Sequence, residues 1–135
     1  DLSSEALKDL RVSPLRAALI ASTITNNGTQ PTAKIVSSYR LPGGDWQTIA
    51  NLMTAKPVFS ADASQNLQAL LSAEDEDIWY QLAHAEQDDS VYTWYLGGTT
   101  ASWQGTHLAI AVILEENDPE LAIQIGEELL VNPPN

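Results

Sequence analysis

The sequence predicts one α/β domain of the α+β type: a three-stranded antiparallel meander carrying an N-terminal, a middle and a C-terminal helix. Three features predict it. Strand-like runs at 78–85, 91–96 and 106–114 follow one another with only turns and a short loop between them. Helix-start signals stand before two amphipathic stretches upstream of those runs and before one downstream. The length, 135 residues, suits a single domain spanning 1–135 that buries roughly 65–70% of its unfolded surface.

In chain order, Asp1 to Leu10 permits a short helix or a frayed leader, with Leu2, Ala6, Leu7 and Leu10 at helical spacing. Ser13-Pro14 opens the first clear helix. The serine oxygen can accept from an orphan N–H, and proline suits the first turn, where its missing N–H has no partner. Leu15, Ala18, Leu19 and Ser22 recur at helical spacing, and Asn26-Asn27-Gly28 supplies a left-handed stop. Pro31 to Arg40 is strand-prone around Lys34-Ile35-Val36, Leu41 to Gly44 is a turn, and Trp46 to Met53 reads as a short helix. Ser60 or Asp62 opens the middle helix, with Leu67, Leu70 and Leu71 on one side and an end near Ala73, in the acidic run Glu74-Asp75-Glu76-Asp77.

The meander follows. Ile78–Ala85 and Val91–Leu96 flank the polar turn Gln87-Asp88-Asp89-Ser90, and so short a turn forces antiparallel neighbours. Gly97 to Gly105 reads as a loop. Thr106–Leu114 is apolar on both faces, as a strand covered on both sides is, and it belongs beside the second strand because sequential strands are usually adjacent. Asn117-Asp118-Pro119-Glu120 starts the last helix. Its stripe is Leu121, Ile125 and Leu129, with Ala122 and Gly126 beside it, and Pro133-Pro134 stops it.

Composition narrows the function. The net charge of −12 opposes nucleic acid and anionic lipid, both of which need a basic surface. The absence of cysteine removes disulfides and thiolate metal sites. No run of 18 apolar residues is present, so direct membrane insertion by this chain is not expected. No cofactor motif stands out: Gly43-Gly44 and Gly97-Gly98 lack the lysine and spacing of a phosphate loop.

Four stretches carry a resemblance. Val12-Ser13-Pro14-Leu15-Arg16-Ala17-Ala18-Leu19 with Asn26-Asn27-Gly28-Thr29, then Thr93-Trp94-Tyr95-Leu96-Gly97-Gly98, then Leu108 to Glu115, then the helix around Ala122 to Leu130 resemble, in order, the C-terminal part of penicillin-binding transpeptidase domains. The resemblance implies a partial β-lactamase/transpeptidase-like fold and a place at the extracytoplasmic face of a bacterial envelope, with any anchor outside this chain. It also implies a peptidoglycan context. In the family, strands from before the catalytic serine pair with the strand matching Thr106–Leu114. That edge is therefore expected to take an upstream segment or to self-associate.

The family's chemistry requires a serine in Ser-x-x-Lys, a Ser-x-Asn motif and a Lys-Thr-Gly strand. No Ser-x-x-Lys occurs in this sequence; in the family it lies upstream. The substrate strand aligns with Tyr80 to Glu86, which places Gln81 at the lysine, Leu82 at the threonine and Ala83 at the glycine, followed by His84. Glutamine brings no charge, leucine no hydroxyl, and alanine a side chain where close backbone approach is needed. Loss of one preorganised electrostatic group costs about a hundredfold or more in rate. The acids Glu74, Asp75, Glu76, Asp77, Asp88 and Asp89 flanking that strand would repel an anionic substrate. The expectation is a non-catalytic module with an interaction or scaffold role. The alternatives are a piece of an active D,D-transpeptidase whose serine lies upstream, and an unrelated ligand- or glycan-binding module.

Other constellations read blandly. His84 and His107 could join acids around a metal, but no close pairing supports it, and ordinary strand histidines are expected. The acidic run lacks calcium-loop spacing. Trp46, Trp79, Trp94 and Trp103 with Tyr80, Tyr92 and Tyr95 could form a sugar-stacking platform. Alternation puts Tyr92 and Trp94 on one face and Tyr95 on the other, so some of them belong to the core.

Overall fold

A computed structural model of the chain describes residues 11–34, 36–50, 54–72, 77–87 and 89–133. The expectations for Asp1–Leu10, Ile35, Asn51–Met53, Ala73–Glu76, Asp88 and Pro134 fall outside these residues. The elements run α1 (Pro14–Thr25), β1 (Thr29–Gln30), β2 (Ser38–Arg40), β3 (Trp46–Thr48), β4 (Lys56–Pro57), α2 (Ala61–Leu71), β5 (Ile78–Gln87), β6 (Ser90–Thr99), β7 (Ala109–Leu114) and α3 (Pro119–Val131). The fold is α+β, with a main antiparallel sheet in the order β5-β6-β7 and two small ladders, β1-β4 and β2-β3.

The caps form where the sequence places them. Ser13 Oγ accepts from Arg16 N–H, Ser60 Oγ from Ala63 N–H, and Asp118 Oδ1 from Leu121 N–H. Asp62 therefore lies in the first turn of α2 rather than at its cap. Gly28 closes α1 at φ +80, and its Cα faces the Phe59 carbonyl so closely that a Cβ would collide with it. Only glycine meets both demands without strain.

The meander is longer than the strand-like runs. Gln87 pairs with Ser90, so the hairpin turns in two residues, and Asp89 takes φ 62, the left-handed geometry that suits such turns. The ladder continues to Ile78↔Thr99, which draws Gly97 and Gly98 out of the expected loop and into β6. β7 begins at Ala109 rather than Thr106, because Thr106 to Leu108 still belong to the loop. The segment read as a short helix from Trp46 is instead β3: Arg40 pairs with Trp46 and Ser38 with Thr48 across the Leu41–Gly44 turn. Gly43 at φ +77 and the Gly44 N–H bonded to the Leu41 carbonyl close that turn. A tight turn that brings the two flanking segments together makes a hairpin cheaper than a short isolated helix.

Helices cover both faces of the sheet. Ile78 and Tyr95 meet Ala122 and Leu130 of α3, with Leu82, Ile110, Val112 and Leu114 around them. On the other face Trp79 meets Ala21 and Ile24 of α1, and Phe59, Leu67, Leu71 and Ala109 complete the cluster. Trp79, Tyr95 and Leu130 are at most 1% exposed, and burying one side chain of this kind stabilises by about 1.5–3 kcal/mol.

The helix faces differ from the expected stripes in one consistent way. α1 buries Ala17, Ala21 and Ile24 while Leu15 is exposed; α2 buries Ser64 and Gln68 while Leu70 is 79% exposed; α3 buries Ala122, Gly126 and Leu130 rather than Leu129. Small side chains sit at closest approach. At Gly126 an added Cβ would enter the Tyr95 ring.

Candidate functional site

The strand that carries the four positions singled out in the sequence is β5. The Asp77 carbonyl accepts from Thr100 N–H, so by alternation along an antiparallel strand the backbone groups of Ile78, Tyr80, Leu82, His84 and Glu86 point away from β6. Among the described residues no strand pairs with that outer side. Beyond Leu82 the side chains of β5 are exposed.

The four positions singled out in the sequence lie together here, in alternating roles. Gln81 is exposed, and its Nε2 donates to the Leu82 carbonyl at 2.7 Å. Its amide folds over the strand edge and satisfies one of the outward acceptors. Leu82 is half-buried against the α3 cluster, whereas Ala83 and His84 are exposed. No lysine or arginine stands at any of the four. Beside them a cleft of about 300 Å³ is lined by Leu71, Ser72, Tyr80, Gln81 and Leu82. A second depression of about 380 Å³ shares Ser72 and adds Gln65, Gln68, Thr100, Ala101 and Ser102.

Hydroxyl groups gather near this end of β5. Ser102 Oγ donates to Asp77 Oδ1 at 2.6 Å and lies 2.8 Å from Thr100 Oγ1. A serine held by a carboxylate alone has no base of suitable strength to take its proton, so the pair pins a loop rather than arms a nucleophile. His107 is turned to Thr99, with Nδ1 3.1 Å from Thr99 Oγ1. His84 pairs with Thr93, six residues along β6 and roughly 20 Å from Thr99. The two histidines therefore do not meet. Among the described residues, no three His, Asp or Glu side chains converge as metal ligands.

The aromatic side chains are dispersed. Trp79 is buried and donates from Nε1 to Thr25 Oγ1 at 3.1 Å; Tyr95 is buried and stacks on Tyr80 at 5.2 Å between centroids. Trp94 and Trp103 are half-buried. Trp46 is 68% exposed on the β2–β3 hairpin, with the Arg40 guanidinium 5.8 Å over its ring. Alternation placed Tyr92 and Trp94 opposite Tyr95 correctly, but no continuous platform forms from the set.

Sequence reasoning missed the polar clamp behind the cleft. Ile24 lies in the last turn of α1, where carbonyls have no partner within the helix. Its oxygen accepts from both Ser64 Oγ and Gln68 Nε2, and Gln68 Oε1 accepts from Ala101 N–H at 3.2 Å. The signal was present as Ser and Gln at i, i+4 in step with Leu67 and Leu71, two polar residues within an apolar stripe.

No protein-family model matches the chain, and a search of curated proteins returns no relative. Among the described residues no helix is long and apolar enough to cross a membrane.

Proposed function

We propose that this chain is a non-catalytic, transpeptidase-like module of a bacterial cell-wall protein, acting at the extracytoplasmic face by interaction rather than by acyl transfer. One observation carries the reading. On the strand that resembles the family's Lys-Thr-Gly strand, Gln81 stands in place of the lysine and its amide is bonded to the Leu82 carbonyl of its own edge. A β-lactam or stem-peptide carboxylate would meet no lysine at Gln81 and no hydroxyl at Leu82. The α+β order, with a β5-β6-β7 meander between an N-terminal and a C-terminal helix, is compatible with a partial transpeptidase-like fold.

The test is acylation by a labelled penicillin, for this chain and for any longer parent that contains it. No covalent adduct is expected with either. An adduct on the parent alone would favour the alternative, an active D,D-transpeptidase whose serine lies upstream. A second reading, glycan binding, draws on exposed Trp46 beneath Arg40. Soluble peptidoglycan fragments that quench tryptophan fluorescence in the native chain but not in Trp46→Ala would support it.

A further inference from the structure

The stop of α1 is also a place where the chain can change its own covalent structure. Asn27-Gly28 is the only Asn-Gly pair in the sequence. In such a pair the next backbone nitrogen reaches the side-chain amide most freely, because glycine puts no Cβ in the way. We propose that Asn27 is a self-modification site: it is shut in the native fold, deamidates when the end of α1 opens, and as isoaspartate prevents that end from closing again. The proposal goes beyond the interaction reading above and does not depend on it.

The step balances with water alone. Gly28 N gives up its proton to hydroxide and attacks Asn27 Cγ. The N–Cγ bond forms, the Cγ–Nδ2 bond breaks, and the side-chain nitrogen takes a proton from water and leaves as ammonia. Water then opens the five-membered imide. Opening at Cγ gives aspartate. Opening at the backbone carbonyl gives isoaspartate, in which the main chain runs through Cβ and Cγ and is one carbon longer.

Backbone bonding, rather than burial, shuts the site, since the Asn27 side chain is exposed. The attacking nitrogen is engaged: Gly28 N–H donates to the Thr23 carbonyl at 2.9 Å. The peptides on either side are fixed as well. Thr29 N–H donates to the Asn26 carbonyl at 3.0 Å, and Asn26 Nδ2 donates to the Thr29 carbonyl at 2.9 Å. The Gly28 carbonyl accepts from Val58 N–H at 2.9 Å and from Phe59 N–H at 3.3 Å. Asn27 and Gly28 are both held at positive φ, 49 and 80.

The longer product does not fit this frame. Gly28 is buried, bonded through both its N–H and its carbonyl, and so close to the Phe59 carbonyl that a Cβ would collide with it. An extra backbone carbon must push it out of that seat. Aspartate disturbs less, but it sets a negative charge at the negative end of α1, whose last turn holds no basic residue. One turn back, Ser64 and Gln68 hold the Ile24 carbonyl. That clamp therefore governs how often the site opens.

Peptide mapping by mass spectrometry reads the rate at Asn27 in the 135-residue chain, held at mildly alkaline pH in buffer and in denaturing guanidinium chloride. Several hydrogen bonds must open first in buffer, so deamidation there should be roughly tenfold or more slower than in denaturant. Ser64→Ala removes one of the two bonds to the Ile24 carbonyl. It should raise the rate in buffer and leave the rate in denaturant unchanged. The isoaspartate form, separated by ion exchange and returned to buffer, should melt at a lower temperature than the unmodified chain. Equal rates in buffer and denaturant, no reaction at Asn27 in denaturant, a rate in buffer unmoved by Ser64→Ala, or an isoaspartate chain that melts like the unmodified one would overturn the proposal.

Discussion

Gln68 ties together three stretches of chain that lie far apart in sequence. Its amide reaches the Ile24 carbonyl at the end of α1 and the Ala101 N–H in the β6–β7 loop, from a side chain that is 3% exposed. Gln68→Leu keeps the volume and strands the Ala101 N–H. The expected loss is about 1–3 kcal/mol of unfolding free energy by urea titration, and a loss below a few tenths would refute a buried clamp. Trp79→Phe removes the bond to Thr25 Oγ1 and leaves a cavity where the indole packed, so a loss of about 1–3 kcal/mol is expected. At this scale the sequence was legible where a residue's job is local. Ser13, Ser60 and Asp118 cap, and Gly28 turns, because each acts on backbone a few residues away. Gln68 and Thr25 were opaque because their partners arrive through tertiary packing at separations of tens of residues.

α1 and α3 meet the sheet largely through small side chains, Ala17 and Ala21 on one and Ala122 and Gly126 on the other, and this is where reading by hydrophobic weight went astray. Leu129 and Ile125 outweigh Ala122 and Gly126 on any apolar scale, yet close approach over the Tyr95 ring selects the small pair. The existence, order and type of α1, α2, β5, β6, β7 and α3 were legible from caps, alternation and turns. The rotation of each helix was not, since it is set by the shape of the opposing sheet. Gly126→Val should collide with Tyr95 and cost about 1–3 kcal/mol, whereas Leu129→Ala, on the more exposed stripe, should cost well under that. Equal losses in thermal unfolding would show that the stripe has been misassigned. The start of α3 is held twice over: Asp118 caps it, while Thr93 Oγ1 donates to the Glu116 carbonyl and accepts from Asp118 N–H. Asp118→Ala should therefore cost about 0.5–2 kcal/mol. The candidate site divides in the same way. Gln81 to His84 could be found because a strand keeps its register, but the bond from Gln81 to the Leu82 carbonyl depends on a free edge that only the sheet order reveals.

Across the whole molecule, charge is distributed unevenly. All six Lys and Arg lie at or before Lys56, whereas only four of the eighteen acids, Asp1, Glu5, Asp9 and Asp45, do. The half that contains the meander and α3 is therefore purely acidic and repels itself. Raising ionic strength from about 10 to 150 mM shortens the Debye length from roughly 30 to 8 Å. The melting temperature should rise with it, and a fall would mean that attractive pairs outweigh the repulsion. The β5–β6 hairpin also bears on the order of events during folding. Its ten-residue strands close through a two-residue turn, while the bonds from Ser64 and Gln68 to Ile24 span 40 and 44 residues. Loop closure must precede those distant contacts, so the hairpin should form first and α1 should dock late. In stopped-flow kinetics a destabilised hairpin would slow refolding, whereas Gln68→Leu would chiefly hasten unfolding. The clamp on α1 would then set the lifetime of the native state rather than the speed of reaching it.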